Sequence, residues 1–353
     1  MTVPSRDWGG EQLGSLLELQ KQLLPELMDV MKKRYTILHH IKLNGTVGRR
    51  TLAHSVHMTE RMLRSEVDIL KQQGLLDTNS SGMHISIAGE ELLEGLEPYI
   101  RELFDLTDLA ERIRSHFGLK EVIIVPGNSD DSILAKKELG RAGAAALRKV
   151  VQPNDVIAVA GGSTMAGIAD SLIASAAFRG TWFLPARGGL GEHVELQANS
   201  IASTMAKRTG GQYRLLHVPD HLSEEAYQSL IQEPNIRELI AIIRKARIVV
   251  HGIGDAMVMA TRRNVDVSVK DSLAQEGALA EAFGYYFDNS GSVVHNIPTV
   301  GLRLEDIRET ELVIGVAGGR SKGEAIAAVL RFGHEDILVT DEAAAEQILN
   351  YLS

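Results

Sequence analysis

The sequence predicts an α/β protein with a winged helix-turn-helix head, a helical linker and a larger domain built on a mostly parallel sheet. Three observations carry that prediction. Residues 48–87 order a short helix, a break, an amphipathic helix and a hairpin. Residues 121–340 alternate apolar β-rich runs with amphipathic or Ala-rich segments. The charge is also divided unevenly between the two stretches. Lys32 to Lys71 holds nine lysines and arginines against three acids, a balance of +6 in a chain of net charge −9, so the rest carries −15. A basic segment on an acidic body suits a nucleic-acid-binding head joined to a domain with another task.

Length and composition bound the rest. At 353 residues the chain has room for two or three domains. With 44% hydrophobic and 24% charged residues it can bury a core without covalent staples. The sequence has no cysteine, which excludes disulfides, thiolate zinc ligands and a cysteine nucleophile and fits a reducing compartment. The opening MTVPSRDWGGEQLG has no basic segment leading into an apolar core, and no apolar run reaches the roughly 18 residues of a membrane span. The expectation is a cytoplasmic protein without a membrane partner.

Residues 15–43 repeat apolar side chains at helical spacing, are interrupted at Pro25 and stop at Asn44-Gly45, which predicts two helices and a turn. A short helix over 48–56 follows, then a break at His57-Met58. Thr59 is placed to cap the next helix, whose Met62, Leu63, Val67 and Leu70 lie on one face and Arg61, Arg64, Ser65 and Asp68 on the other. Polar 77–82 between two short strands reads as a hairpin. A helix so framed can enter the major groove N-terminal end first, so Thr59, Arg61, Met62 and Ser65 are the base-reading candidates and Arg49, Arg50 and Arg64 the phosphate contacts. A winged-helix module that binds protein instead is the competing reading. Residues 90–117 are helical and acidic, broken at Pro98, and read as a linker whose apolar face needs a partner, either the same chain or a second copy.

The predicted strands of the body are 121–125, 155–160, 181–186, 213–219, 247–253, 311–318 and 336–340. Most are followed by a helical segment, which implies parallel strands covered on both faces. Ligands bind beyond the carboxyl ends of such strands. Four turns there stand out. Gly161-Gly162-Ser163-Thr164 opens a helix and can cradle an anion with its amides and hydroxyls. Arg187-Gly188-Gly189 can fork a phosphate, with Gln197 and Asn199 in the polar segment after it. Gly254-Asp255 leads to Arg262-Arg263, which also read as ordinary surface arginines at a helix end. Ala317–Gly323 repeats the first design and adds Lys322. Two glycine-rich cradles with several cations predict a ligand with two anionic ends. Glu281 precedes the aromatic run 283–288 and could accept sugar hydroxyls. The histidines show no metal spacing, no nucleophile pairs with a base, and neither a metal nor a catalytic residue is assigned.

The segments GRRTLAHSVHMTERMLRSEVDILKQQGLL, VAGGSTMAGIAD, ARGGLGEHVELQANSIAS, GIGDAMVMATRRN, EGALAEAFGYYFD and GVAGGRSKGEAI together resemble the SorC family of sugar-responsive transcriptional regulators. The resemblance implies a winged-helix operator-binding domain over 1–89, a linker over 90–117 and, over 118–353, an effector-binding and oligomerisation domain of the fold shared with sugar-phosphate isomerases and deaminases. It implies a repressor of lower-glycolysis genes, dimeric or tetrameric, relieved by a phosphorylated sugar, chiefly fructose 1,6-bisphosphate, and needing no cofactor. Carried onto this sequence, one phosphate falls on Gly161, Gly162, Ser163 and Thr164 with Arg187 and Lys322. The other falls near Arg262, with Gln197 and Glu281 on the sugar. A sugar-phosphate isomerase or deaminase with an added head is the alternative, with Asp255, Glu281 or Asp288 as candidate general bases. A sugar sensor docking on protein ranks last.

Overall fold

The computed structural model describes residues 23–352 except 57, 97–98, 101–103, 105, 190–192, 220–223, 264 and 298. The apolar repeat before Leu23, the break at His57 and the proline at 98 therefore lie outside the described residues. The chain divides into two compact units, one formed by residues up to Asp108 with 132–134, the other by the remainder.

In the first unit, α1 (Pro25–Asn44) begins on the proline, whose missing N–H is no loss in a first turn. Its Ile37, Leu38 and Ile41 are buried against Leu52 of α2 (Arg49–Ser55), Leu63, Val67 and Leu70 of α3 (Glu60–Gln72), and Leu76 and Met83 of the hairpin β1 (Leu76–Asn79) and β2 (Gly82–Ile85). Thr59 caps α3, its hydroxyl accepting from the Met62 amide at 3.2 Å. Val47 exchanges two backbone hydrogen bonds with Met83 and so bridges to the two-stranded wing. Among the described residues, two helices cover the ends of the expected linker over 90–117. α4 (Ile87–Leu96) buries Leu93 in the head core, and a separate helix, α5 (Leu106–Phe117), follows. Burial of Leu93 in the head draws the start of the linker into the domain.

The second unit carries a seven-stranded sheet of β3 (Glu121–Val125), β4 (Val156–Val159), β5 (Trp182–Pro185), β6 (Gln212–Tyr213), β7 (Ile248–Gly252), β12 (Leu312–Val316) and β13 (Ile337–Asp341). Its order is β3-β13-β12-β7-β4-β5-β6, and each pairing is parallel. Strands 312–316 and 337–341 are buried along their whole length, as expected of a sheet covered on both faces. The helices α6 (Ile133–Val150), α7 (Ser163–Ser171) and α8 (Ala198–Thr209) contribute Leu139, Leu147, Met165, Ile168 and Met205 to the main core. The predicted strand 213–219 is corrected to Gln212–Tyr213, because Asn199 takes the backbone of Leu216 out of the ladder.

The sequence reading missed a second, antiparallel sheet. Its strands β8 (Gly254–Asp255), β9 (Ala280–Ala282), β10 (Tyr285–Phe287) and β11 (Val293–Asn296) stand in the order β11-β10-β9-β8. Beyond α9 (Glu224–Leu230) and α10 (Pro234–Ile243), helices α11 (Ala256–Arg262) and α12 (Val267–Gln275) enclose with them a small core around Ala260, Leu273 and Tyr286. Phe283 and Gly284 form the two-residue turn between β9 and β10, both with positive φ, as a type I′ hairpin requires. Among the described residues no helix is long and apolar enough to cross a membrane.

Candidate functional site

The sheet is wound in two directions from β4 and β7. From β4 the chain steps outward to β5 and β6; from β7 it steps the other way to β12 and β13. Such a switch point leaves a crevice beyond the carboxyl ends of the two central strands. A cleft with about 940 Å³ of free space, counting its open mouth, lies there, between residues 160–165 after β4 and 252–254 after β7. Gly161, Gly162, Ser163, Thr164, Arg187, Gln197, Arg262, Glu281 and Lys322, drawn from six separate segments, all line it.

The first glycine turn is pinned rather than loose. A side chain on Gly161 would come within 2.8 Å of the Leu196 carbonyl, and the Gly162 amide donates to that carbonyl at 2.8 Å. Gly162 has φ 121° and caps α7 with no side chain over the helix end. The amides of Ser163, Thr164 and Met165 have no acceptor within the helix, so they and the two hydroxyls present donors to the cleft where the helix dipole is positive.

Opposite stand the cations. Lys322 is half-buried; burial pushes its ammonium below the ordinary lysine value, the charges of Asp130 and Asp341 oppose that, and Arg262 and Lys136 reinforce it. Arg187 follows β5 and is 11% exposed, its Nη1 3.4 Å from Glu281 Oε1. Arg263, which the sequence reading set aside, reaches the same oxygen at 2.6 Å and is 3% exposed. Neighbouring helical residues point about 100° apart, so Arg262 and Arg263 had to diverge, one into the cleft and one beneath it. Burial works to raise the Glu281 pKa, but Arg263, Arg187 and the Gly284 amide at 2.7 Å outweigh it and hold the carboxylate below its usual range. Phe283, Met165, Ile253 and Met259 add apolar wall. The signal for Phe283 was the Phe-Gly pair between 280–282 and 285–287, a hairpin pattern read only as an aromatic run after Glu281.

Three expectations are corrected. The Ala317–Gly323 turn is not a second anion cradle, because carboxylates of the chain already hold it. Asp341 accepts from the Gly319 amide at 2.7 Å and Asp130 from the Ser321 amide at 2.8 Å, while Asn128 Oδ1 accepts from Arg320 at 3.2 Å; only Lys322 of this turn lines the cleft. Asn199 is turned to the Leu216 backbone, at 3.0 and 2.9 Å, and does not line the cleft. The candidate general bases are otherwise engaged. Asp255 caps α11 through the Val258 amide at 2.9 Å, Asp288 accepts from the amides of Ser290 and Ser292, and Glu281 is a paired carboxylate with a lowered pKa. Among the described residues no group of three or more His, Asp or Glu is placed to hold a metal.

In the head, Arg49, Arg50, Thr59, Arg61, Met62, Arg64 and Ser65 are all exposed. Buried Leu63 and Val67 turn the opposite side of α3 outward, which fixes which residues can meet a groove. Two of the three acids in that count are paired with its arginines. Arg34 is bound to Glu66 at 2.8 Å and Arg50 to Glu60 at 3.3 Å, so Arg49, Arg61 and Arg64 carry the net positive charge of this face.

Comparison with known proteins agrees with this division. Residues 101–350 match the family described as "Putative sugar-binding domain", and residues 30–100 match the CggR N-terminal DNA binding domain. The chain is 46% identical over 336 residues to the central glycolytic genes regulator of Priestia megaterium, covering 95% of this chain and 98% of that one. It is 44% identical over 337 residues to the protein of the same name in Bacillus subtilis, covering 96% and 99%. A solved structure from Enterococcus faecalis, described as "the putative SorC family transcriptional regulator", aligns with TM-score 0.65 at 42% identity over 69% of this chain and 99% of its own. The full-length sorbitol operon regulator SorC of Klebsiella pneumoniae shares the fold over 91% of this chain and 99% of its own, with TM-score 0.63 at 16% identity. The chain, with its DNA-binding head and sugar-binding α/β domain, belongs to the SorC family of transcriptional regulators.

Proposed function

We propose that this protein is a cytoplasmic repressor of glycolytic genes whose hold on operator DNA is set by a phosphorylated sugar, most specifically fructose 1,6-bisphosphate. The observation that carries the reading is the opposition, in one switch-point cleft, of a helix N-terminus at Ser163-Thr164 without a side-chain cap to the cations Arg262 and Lys322. One phosphate is assigned to Gly161–Thr164 with Arg187 and Lys322, the other to the Arg262 side, and the hydroxyls to Gln197 and Glu281. A bound anion would stabilise the half-buried Lys322 and the exposed Arg262 that line the same cleft. The names of the Priestia megaterium and Bacillus subtilis relatives support glycolytic genes as the target. Arg49, Arg61 and Arg64 serve phosphates or base edges of double-stranded operator, with Thr59, Met62 and Ser65 in the groove. The assigned roles are operator binding for 1–89, connection for 90–117, and effector binding with assembly into a homo-dimer or tetramer for 118–353. The sugar acts by binding two assembly states with unequal affinity, without which it shifts nothing.

The test is a titration of fructose 1,6-bisphosphate into the protein bound to a labelled glycolytic-operon promoter, at fixed salt, following anisotropy and sedimentation together. Loss of affinity or cooperativity with a change of assembly is the expected result. Operator binding indifferent to the sugar would discard this effector, and turnover of hexose phosphates by the protein would revive the enzyme reading.

A further inference from the structure

We infer that Arg263 is a positioning residue of the cleft: by neutralising Glu281 itself, it lets Arg187 be drawn toward an anionic ligand without leaving a buried carboxylate uncompensated. The inference rests on the anion-binding reading above and deepens it.

The geometry is asymmetric. Glu281 Oε1 receives Arg263 Nη2 at 2.6 Å and Arg187 Nη1 only at 3.4 Å, and the three side chains are 5%, 3% and 11% exposed. A buried carboxylate that loses its only cation is strongly destabilised. If Arg187 were the sole counter-ion of Glu281, a phosphate could recruit it only by competing with that carboxylate. Arg263 removes the competition. It does not line the cleft, whereas Arg187 and Glu281 both do, so it acts through Glu281 and not on the ligand. Its place is secured by the fold: it follows α11 and closes that helix with its amide on Met259 O, while Glu281 sits in β9 between β8 and β10.

The other charged groups nearby are few. Arg262 and Lys322 line the same cleft, Asp255 lies on β8 beside β9 and caps α11, and the His251 ring lies 4.2 Å from that of Phe283, tilted by 40°, with Glu335 3.2 Å from its Nε2. Helix α14 (Gly323–Phe332), which follows α13 (Leu304–Glu309) and packs against β9, carries Glu324 and Arg331, which are hydrogen-bonded to Tyr351 and Asn289. None of these replaces Arg263 at Oε1.

The test is a double-mutant cycle in the full chain with fructose 1,6-bisphosphate as probe, measured calorimetrically at pH 7.5 and 5.5. Arg263→Gln is expected to weaken binding at least about tenfold at pH 7.5. On a Glu281→Gln background the same change should weaken it less than about twofold, since no carboxylate then needs the cation. Without Arg263, burial raises the Glu281 pKa, so acid neutralises it and releases Arg187; the deficit against wild type should therefore narrow at pH 5.5. Arg263→Lys should restore most of the affinity. Equal losses on both backgrounds, or a loss independent of pH, would overturn the inference while leaving the ligand reading intact. Wild type that does not bind the bisphosphate would overturn both. Should Arg263→Gln alone not fold, a folded double variant binding like Glu281→Gln supports the inference, and an unfolded double variant overturns it.

Discussion

Lys322 and Arg262 enter one cleft as two cations, and among the described residues neither has a carboxylate within ion-pair distance. Burial of Lys322 lowers its pKa from 10.5, with the charge of Arg262 adding to the effect and those of Asp130 and Asp341 opposing it. The unfolded chain then binds more protons than the folded one in the window between the lowered value and 10.5, so this residue makes stability rise with pH there. A bound phosphate should favour the ammonium and reverse the effect. Calorimetry at about pH 9 in buffers of different ionisation enthalpy should show proton uptake on binding fructose 1,6-bisphosphate, and Lys322→Met should abolish that uptake with at least a tenfold loss of affinity. Binding without linked protonation would separate Lys322 from the anion.

The two domains should fail separately. Arg61→Ala is expected to lose about 1–3 kcal/mol of operator binding if it reads a base, or to flatten the salt dependence by about one ion if it holds a phosphate, with sugar affinity unchanged. Lys322→Ala should do the reverse. Arg50→Ala should matter less than Arg49→Ala, because Arg50 is already tied to Glu60 at 3.3 Å. Salt-dependent anisotropy on the same promoter fragment decides among these outcomes.

Thr59→Ala should lower the stability of the head by about 1 kcal/mol, because the Met62 amide loses its acceptor, while Thr59→Ser should be nearly neutral. Denaturant unfolding followed by helix content reads this directly. Equal effects of Ala and Ser would show that the methyl group, not the hydroxyl, matters at this position.

Asn199 was drawn to the ligand by its place in a polar segment, and the fold gives it another task. Asn199→Ala leaves the Leu216 amide and carbonyl without their partners, at a cost of about 1–3 kcal/mol, yet should leave bisphosphate affinity within about twofold. A specific loss of sugar affinity at unchanged melting temperature would return Asn199 to the site.

Much of this molecule was legible before any coordinates. The period of Leu63, Val67 and Leu70 oriented α3, although Met62, read onto the same face, is exposed, and the hydroxyl of Thr59 announced where that helix begins, because both signals act within one or two helical turns. The alternation of apolar runs and amphipathic helices implied a parallel sheet, and glycine turns at strand ends marked where a ligand could approach. These are local rules, written in spacing and side-chain chemistry.

Tertiary structure decided what depends on strand order and on competition for the same donors. Only the placement of β4 beside β7 puts Gly161 and Arg262, about a hundred residues apart in the sequence, on one crevice. The turns at Gly161 and Gly318 look alike as strings, yet Asp130 and Asp341 fill the second from within and leave the first open. Arg262 and Arg263 are the same residue type side by side, and burial beneath β9 makes one of them the counter-ion of Glu281. A carboxylate's partner is chosen by distance in space, which a single sequence does not encode residue by residue.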